Sequence, residues 1–342
     1  MTTLPPSRIP APNDAPAIRW GVLAPGGIAH DWTAALHAAT KSRVVAVGSR
    51  SLERAQRFAS EFGAERTYGT YEALVADPDV DAIYVASPHS EHHDHALLAL
   101  GAGKPVLVEK AFTRSAAEAA AVIEAARARG LLVVEAMWTR FLPHIDVVRR
   151  CLEDGLLGEV KAVEADHGQL LYPDGPQRLA DPALAGGALL DLAIYPVSFA
   201  HLALGAFSAV QATGTLVETG VDAGETIAVT GTQGAIGTLS STMLAKTPCS
   251  ASISGTAARL EIDGWFYQPN TVRLLDPDDR EIERYEPPVR EHGLAYEAAE
   301  FARLLVAGRT ESELLPLDET LRVMEVLDEV RRQLGVRFPG ED

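Results

Sequence analysis

The sequence predicts an α/β protein of two domains, the first of which contains a doubly wound parallel sheet. Residues 17–136 alternate apolar, β-branched stretches with helical stretches, a pattern typical of a parallel sheet with right-handed crossover helices. The alternation stops after Met137. Residues 210–275 are then rich in Thr, Val, Ile and Gly without intervening helices, which predicts an antiparallel or mixed sheet.

Composition limits the class of protein. The 342 residues allow two domains, and 47% hydrophobic with 23% charged residues is a globular composition. The net charge of −17 disfavours nucleic acid and anionic membranes as partners, because no basic field attracts phosphates. Cys151 and Cys249 lie far apart, which predicts a reduced, cytoplasmic protein. No run of 18 apolar residues occurs, so no membrane span is expected.

The sequence predicts three segments, an N-terminal arm and two domains. Residues 1–16 are rich in proline and small residues and lack the apolar core of a signal peptide, which predicts a flexible N-terminal arm. We expect the parallel sheet within 17–137 and a second domain within 138–342. The boundary should fall near 135–143, where the alternation ends.

Each element of the first domain has a local signal. Apolar runs predict strands, and capping residues before amphipathic or alanine-rich stretches predict helices. The predicted strands are 18–23, 44–48, 82–86, 106–109 and 132–136. The predicted helices are one through Trp32, Leu36 and Ala39, one from the capping stretch 49–53 to about Phe62, and those at 71–76, 91–102 and 116–129.

The second domain has a different order of strands and helices. Its adjacent strands occupy the stretch from 210 to 275, and a loop rich in Pro, Gly and Asp is expected at 170–185. A further strand is predicted at 159–167. The predicted helices are 144–154, 187–204, 294–306 and 317–334.

A glycine-containing turn joins the first strand to the first helix. In Ala24-Pro-Gly-Gly-Ile-Ala29, Gly26 and Ala29 occupy the second and third positions of the fingerprint Gly-x-Gly-x-x-Gly/Ala, and Ala24 replaces its first glycine. Such a turn brings pyrophosphate to a helix N-terminus. The predicted dinucleotide contacts are Ala24, Gly26, Gly27, Ile28 and Ala29.

The end of the second strand indicates which dinucleotide binds. NAD sites usually place Asp or Glu about 20 residues past the glycines, whereas this chain has Ser49-Arg50-Ser51. An arginine flanked by hydroxyls suits a 2′-phosphate. We therefore predict NADP rather than NAD, with Ser49 and Arg50 as binding residues. The alternative is that Ser49 only caps the next helix and Arg50 is solvated.

Lys110 directly follows the apolar strand 106–109. The carboxyl edge of a parallel sheet is where ligands bind. Burial of an amine there favours its neutral form, which suits proton transfer. The alternative is that the side chain leaves the sheet into solvent.

A second candidate set lies in Gly186-Gly-Ala-Leu-Leu-Asp191-Leu-Ala-Ile-Tyr195-Pro196. In a helix, Asp191 and Tyr195 share one face, and Pro196 bends the helix. A phenol and a carboxylate beside a lysine and a nicotinamide make a proton-transfer set. The alternative is structural: Tyr195 hydrogen-bonds at a domain interface and Asp191 is solvated.

These motifs together resemble the glucose-fructose oxidoreductase / inositol dehydrogenase (Gfo/Idh/MocA) family over residues 17–339. The block 135–141, with Trp138 and Arg140, and the tyrosine at 195 are similar to the branch of dimeric dihydrodiol dehydrogenase and NADP-dependent xylose dehydrogenase. The other matching landmarks are the Gly26 turn, Ser87-Pro88-His89, 103–110, Gly186, Gly187, Asp191, 296–301 and 316–320.

The resemblance implies an N-terminal Rossmann domain and a C-terminal α/β domain for substrate binding, with a large open, mostly antiparallel sheet that forms a homodimer. It implies hydride transfer between NADP and a sugar, polyol or vicinal diol. Lys110 would contact the nicotinamide and the reacting hydroxyl, Tyr195 would be the acid/base, and Asp191 would orient substrate. Cofactor contacts are also implied for Ser87, Pro88, His89, Glu109 and Lys110. The family usually has Pro where this chain has Ala111.

Other candidates and functions remain open. Trp138 and Arg140 either line the active site or brace the domain junction, and Tyr172 could cover substrate. The histidines from 89 to 95 suggest a metal, but we expect none, because spacing alone rarely defines a site. The alternative functions are a non-catalytic NAD(P)-binding sensor or scaffold, which need not keep Lys110, Asp191 and Tyr195, and a reductase of an imine or enone.

Overall fold

The computed structural model describes residues 3–341, and the chain divides into two compact units. The first unit comprises Pro10–Phe141 and His292–Leu321. The second comprises the described parts of Met1–Ile9, Leu142–Glu291 and Arg322–Asp342.

The first unit contains a six-stranded parallel sheet in the order β3-β2-β1-β4-β5-β6, the Rossmann order, as predicted. Every residue of the last three strands is buried, which explains their continuous apolar sequences. The strands are β1 Arg19–Leu23, β2 Arg43–Gly48, β3 Arg66–Tyr68, β4 Ala82–Val85, β5 Val106–Glu109 and β6 Val133–Ala136. The helices are α1 Gly27–Ala39, α2 Leu52–Phe62, α3 Tyr71–Val75, α4 His92–Gly101 and α5 Ala116–Arg129.

A late stretch of the chain also belongs to the first unit. Helix α8 (Ala295–Val306) packs against α1. The ring of Phe301 lies 4.8 Å from that of Trp20, which in turn meets Trp32 edge-on at 5.1 Å. This aromatic packing explains why 292–321 groups with the first unit rather than with the rest of 138–342.

The second unit contains an eight-stranded sheet in the order β14-β13-β12-β11-β7-β10-β9-β8. Strands β7 and β10 pair in parallel and the neighbouring pairs are antiparallel, so the expected mostly antiparallel sheet is confirmed. The strands are β7 Val160–Gly168, β8 Phe207–Leu216, β9 Asp222–Gly231, β10 Ile236–Thr242, β11 Ala251–Gly255, β12 Arg259–Ile262, β13 Val272–Leu275 and β14 Glu281–Tyr285.

Helices cover one face of this sheet. Helix α7 (Ile194–Leu204) packs on β7 and β10, and α6 (Pro143–Glu153) packs on β13. Along the central strands, side chains point alternately to the helix side, where they are buried, and to the other side, where they are exposed. Leu239 is buried, for example, and its neighbour Thr238 is exposed. Helix α9 (Leu317–Leu334) begins in the first unit and continues in the second.

Two further segments belong to the second unit. By length and composition, Pro182–Leu204 could cross a membrane. However, 89% of its apolar 18-residue stretch is buried in the fold, as in a core helix. Two residues of the predicted flexible arm make specific contacts: Arg8 pairs with Asp146 at 2.7 Å, and the Leu4 N–H donates to Glu283 at 2.6 Å.

Candidate active site

The turn after β1 leaves a helix N-terminus open to a ligand. The Gly26 N–H donates to the Ala24 carbonyl at 2.8 Å, and Gly26 then precedes α1 without a side-chain cap. A Cβ at Gly27 would meet nothing within 4 Å, so the space before the helix is clear. Because the first-turn N–H groups lack a side-chain acceptor, they can bind an anionic group such as pyrophosphate.

Ala24 adopts the conformation that the fingerprint assigns to glycine. Its φ of 67° lies in the left-handed region, which costs a non-glycine residue about 1 kcal/mol. The substitution therefore keeps the shape of the turn. At the third fingerprint position, Ala29 is fully buried, so its small side chain allows close packing of the helix.

A cleft of about 290 Å³ lies beside this turn. Ser51 is the residue that caps α2, by accepting the Arg54 N–H, whereas Ser49 accepts the Ser51 N–H. Ser49 is therefore not the helix cap. The cleft is lined by Ala24, Pro25, Gly26, Ser49, Arg50, Ser51, Arg54, Tyr71, Ala86, Ser87, Pro88, Glu91 and His95.

These residues fit a dinucleotide that carries a 2′-phosphate. Arg50 is exposed and shares the cleft with a second guanidinium, Arg54, which sequence reasoning missed although it lies one helical turn further on. Burial raises the pKa of Tyr71, although the positive charge of the neighbouring Arg50 lowers it in part. Two guanidiniums and two serine hydroxyls form an anion-binding set.

The histidine-rich stretch organises the loops after β4 and β5. The His92 ring nitrogens lie 2.8 Å from the Ser87 carbonyl oxygen and 2.9 Å from that of Ala111. Burial lowers the pKa of His92 to about 4, so the neutral ring donates to one of the two carbonyls. His89, a predicted cofactor contact, is buried beside it. Within residues 3–341, no group of three or more His, Cys, Asp or Glu is placed to hold a metal.

Lys110 lies at the carboxyl edge of the parallel sheet, partly buried, directly after β5. Its N–H donates to the buried Glu109 carboxylate at 3.2 Å, and the Tyr84 hydroxyl donates to the same carboxylate at 2.5 Å. The Lys110–Ala111 peptide is cis. The predicted cofactor residue Glu109 thus braces the turn that presents Lys110.

Arg140 contacts two residues of the first unit. Its guanidinium is buried, pairs with Glu319 at 2.7 Å and donates to the Leu314 carbonyl at 3.3 Å. These contacts favour the bracing role over substrate binding for Arg140. Trp138 is half-buried in the same single-turn 3-10 helix, and its substrate contact stays a prediction.

In the second unit, a π-helical turn (Leu189–Ala193) carries Asp191 and runs directly into α7, which carries Tyr195. The Ile194 N–H donates to the Leu189 carbonyl, five residues back. A helix bent at Pro196 was expected over 187–204. The structure has a wider, π-helical turn just before Pro196, which has no N–H to continue the helical hydrogen bonds. Asp191 and Tyr195 remain about one turn apart.

Asp222 caps this turn from β9. Its carboxylate accepts the Leu189 N–H at 2.5 Å, in a buried position. Gly187 has a φ of 115°, and a Cβ there would lie 2.2 Å from the Asp222 carboxylate, so only glycine allows this approach. Burial raises the pKa of Asp222 to about 6. Nothing local in the sequence signalled this long-range cap.

Tyr195 lies among buried aromatic rings. The His167 ring is 5.0 Å away, edge-on, and the Tyr267 ring is 4.9 Å away. His167 also lies 3.2 Å from the Leu192 carbonyl, which fixes its orientation relative to the π turn. Burial raises the pKa of Tyr267. The cluster packs against the Tyr195 ring, which is largely buried.

The loop 170–185 lies beside this turn. Arg178, which sequence reasoning missed, pairs with Asp191 at 3.1 Å. The hydroxyl of Tyr172 donates to Glu218, so this predicted substrate cover has a polar contact of its own. Asp191 is largely buried and is not the solvated residue of the structural alternative.

Comparisons with known proteins match one family to parts of both units. The model of the GFO/IDH/MocA oxidoreductase family with an NAD-binding Rossmann fold matches residues 18–137, and that of the GFO/IDH/MocA C-terminal domain matches 145–261. Trans-1,2-dihydrobenzene-1,2-diol dehydrogenase of Macaca fuscata fuscata is 36% identical over 95% of this chain and 99% of its own length. The Bos taurus enzyme is 35% identical over the same shares.

Among solved structures, a 3-ketoreductase from Actinomadura kijaniata in complex with NADP and TDP-benzene is 30% identical. It matches with a TM-score of 0.82, over 93% of this chain and 98% of that chain.

Proposed function

This chain belongs to the GFO/IDH/MocA oxidoreductase family, and from that premise we propose that it interconverts a hydroxyl-bearing carbon of a sugar, polyol or vicinal diol with the corresponding carbonyl, using NADP. It is an NAD(P)-dependent oxidoreductase that acts on CH–OH groups. The observation that carries the proposal is the open helix N-terminus beside the Ser49–Arg54 cleft in a Rossmann unit. The diol dehydrogenase and ketoreductase relatives support the substrate class.

The dinucleotide, when bound, supplies the two-electron acceptor or donor. The N–H groups of Gly27, Ile28 and Ala29 would hold its pyrophosphate, and Arg50 would hold the 2′-phosphate. Ser87 to His89 lie just after β4, and Glu109 and Lys110 lie at the end of the neighbouring strand β5, at the same edge of the sheet. These residues would contact the rest of the dinucleotide.

The residues of this chain handle the proton. In oxidation, the substrate carbon loses a hydrogen with two electrons, and Tyr195 takes the hydroxyl proton; in reduction, it returns that proton. Asp191 would accept a hydrogen bond from a neighbouring hydroxyl. The amine of Lys110 would contact the reacting oxygen and favour its anionic form.

A cofactor titration and a substrate panel test the proposed function. NADPH and NADH are titrated by fluorescence, and oxidation of sugars, polyols and vicinal diols is then followed by the appearance of reduced cofactor. We expect tighter binding of NADPH and turnover on at least one panel member. Cofactor binding without turnover on any member would support the sensor or scaffold instead, and turnover only on imines or enones would support that reductase.

The preference for NADP should depend on Arg50. Replacing Arg50 by Gln removes a charge-assisted hydrogen bond to the 2′-phosphate, so we expect NADPH to bind roughly tenfold to a hundredfold more weakly. NADH binding should change little, because NADH lacks that phosphate. Arg43→Gln, an exposed arginine at the other end of β2, is the matched control. Equal losses for the two cofactors would contradict the assignment.

We further propose a homodimer formed through the open face of the eight-stranded sheet. Glu164, Thr226 and Thr238 are exposed on that face, and the family resemblance supports its use between subunits. Thr238→Arg should convert the dimer to a monomer in light scattering at micromolar concentration, because each subunit would bury a bulky, unpaired charge in the interface. Glu124→Arg, at an exposed position of α5, should leave the mass unchanged. A monomeric wild-type protein would contradict the proposal.

A cytoplasmic location also remains our proposal. Cys151 and Cys249 are buried free thiols, which is typical of a reducing compartment. The acidic net charge of −17 supports small-molecule partners rather than nucleic acid or an anionic membrane surface.

A further inference from the structure

The loop 170–185 is anchored beside the π turn by one buried leucine. Leu179, at the centre of a single-turn 3-10 helix (Gln177–Ala180), is only 2% exposed. It belongs to a core cluster that includes Leu192 of the π turn. The position of its neighbour, Arg178, is therefore determined by packing rather than by a free loop.

The double glycine before the π turn fixes the same loop through its backbone. The Gly187 N–H donates to the Leu179 carbonyl at 2.9 Å, and the Gly186 N–H donates to that of Asp181 at 3.1 Å. A Cβ at Gly186 would lie 2.6 Å from the carbonyl oxygens of Arg178 and Leu179. Close backbone contact thus holds the loop to the segment that leads into Asp191.

The resulting side-chain pair combines a donor with an acceptor. The Arg178 guanidinium reaches Asp191 at 3.1 Å, and the two side chains are 40% and 11% exposed. Guanidinium has five N–H donors in a planar fork, more than one contact with a carboxylate uses. The exposed part of the fork therefore lies next to the carboxylate to which the proposed function assigns a substrate hydroxyl.

We propose that Arg178 is a substrate-specificity residue, which donates to a substrate oxygen on the carbon next to the one that reacts. With Asp191, it forms an acceptor–donor pair that matches two oxygens on adjacent carbons. The pair selects vicinal diols, sugars and hydroxy carbonyl compounds over simple alcohols. This inference rests on the proposed function and refines its substrate class.

The test compares a diol with the mono-alcohol of the same ring, trans-1,2-cyclohexanediol and cyclohexanol. We expect Arg178→Met to lower kcat/KM for the diol roughly tenfold to a hundredfold, mainly through KM, because a charge-assisted hydrogen bond is lost. The mono-alcohol should change less than about threefold, because it lacks the second oxygen. Arg178→Lys keeps the charge and should recover part of the loss.

Gln177→Met, an exposed residue on the same turn, is the matched control and should keep the wild-type ratio. Equal losses on both alcohols in Arg178→Met, or no loss on the diol, would overturn the proposal. Affinity of the diol for NADPH-loaded protein, measured by calorimetry, provides a readout without turnover. If the wild-type protein binds NADPH but turns over neither these alcohols nor any sugar or polyol of the panel, the proposed activity fails separately, and weaker diol binding in Arg178→Met alone still supports the subsite.

Discussion

Replacing Lys110 by Met should lower kcat roughly 10²–10⁴-fold while NADPH binds with nearly unchanged affinity. The substitution removes the amine and puts sulfur in place of one methylene, so methionine keeps most of the length and the apolar character of the lysine stem. The turn should survive, because the structure holds it through the Lys110 backbone, whose N–H donates to Glu109 at 3.2 Å, and through His92, whose ring lies 2.9 Å from the Ala111 carbonyl.

Steady-state kinetics and fluorescence titration separate these two effects. Lys41→Met, an exposed lysine in the first unit, should match the wild-type enzyme in both measurements. Full activity of Lys110→Met would rule out the proposed mechanism. A parallel loss of NADPH binding would instead assign Lys110 to cofactor binding.

Replacing Tyr195 by Phe should lower kcat by a similar factor, roughly 10²–10⁴-fold, with a smaller change in KM. The substitution removes one oxygen and leaves the ring, so the packing against His167 at 5.0 Å and Tyr267 at 4.9 Å is kept. A loss of activity would therefore report on the hydroxyl and not on the fold. Thermal unfolding should confirm that the variant stays folded.

Tyr267→Phe is the matched control, because it removes the other phenol of the same cluster. We expect less than about a tenfold change in kcat, since no proton passes through this hydroxyl in the proposed mechanism. If Tyr267→Phe abolished turnover while Tyr195→Phe stayed active, the acid/base role would move to Tyr267.

Much of the first unit could be predicted from the sequence. Fully buried parallel strands need continuous apolar residues, so β4, β5 and β6 leave strong local signals. Strand β3 was missed because its three residues are only partly buried at the sheet edge. The π turn was missed because its residues have the same apolar composition as an α-helix.

In the candidate site, too, only residues with a local sequence signal could be predicted. Ala24, Gly26, Arg50 and Lys110 could be predicted as site residues because each stands at a strand end, where fold class alone predicts ligands. Ser51, rather than Ser49, caps α2, a detail that depends on backbone angles. Arg140 was a candidate for substrate, but the ion pair with Glu319 joins residues far apart in the chain.

The sequence by itself determined the fold class, the dinucleotide turn and the positions of Lys110, Asp191 and Tyr195, because these depend on local periodicity and short spacings. Only the tertiary structure decided which side chains support them. Asp222 reaches Leu189 from another strand, Arg178 reaches Asp191 from a loop, and Gly186 and Gly187 allow both approaches. Such contacts follow from packing in three dimensions, where residues distant in the chain meet without any shared pattern along it.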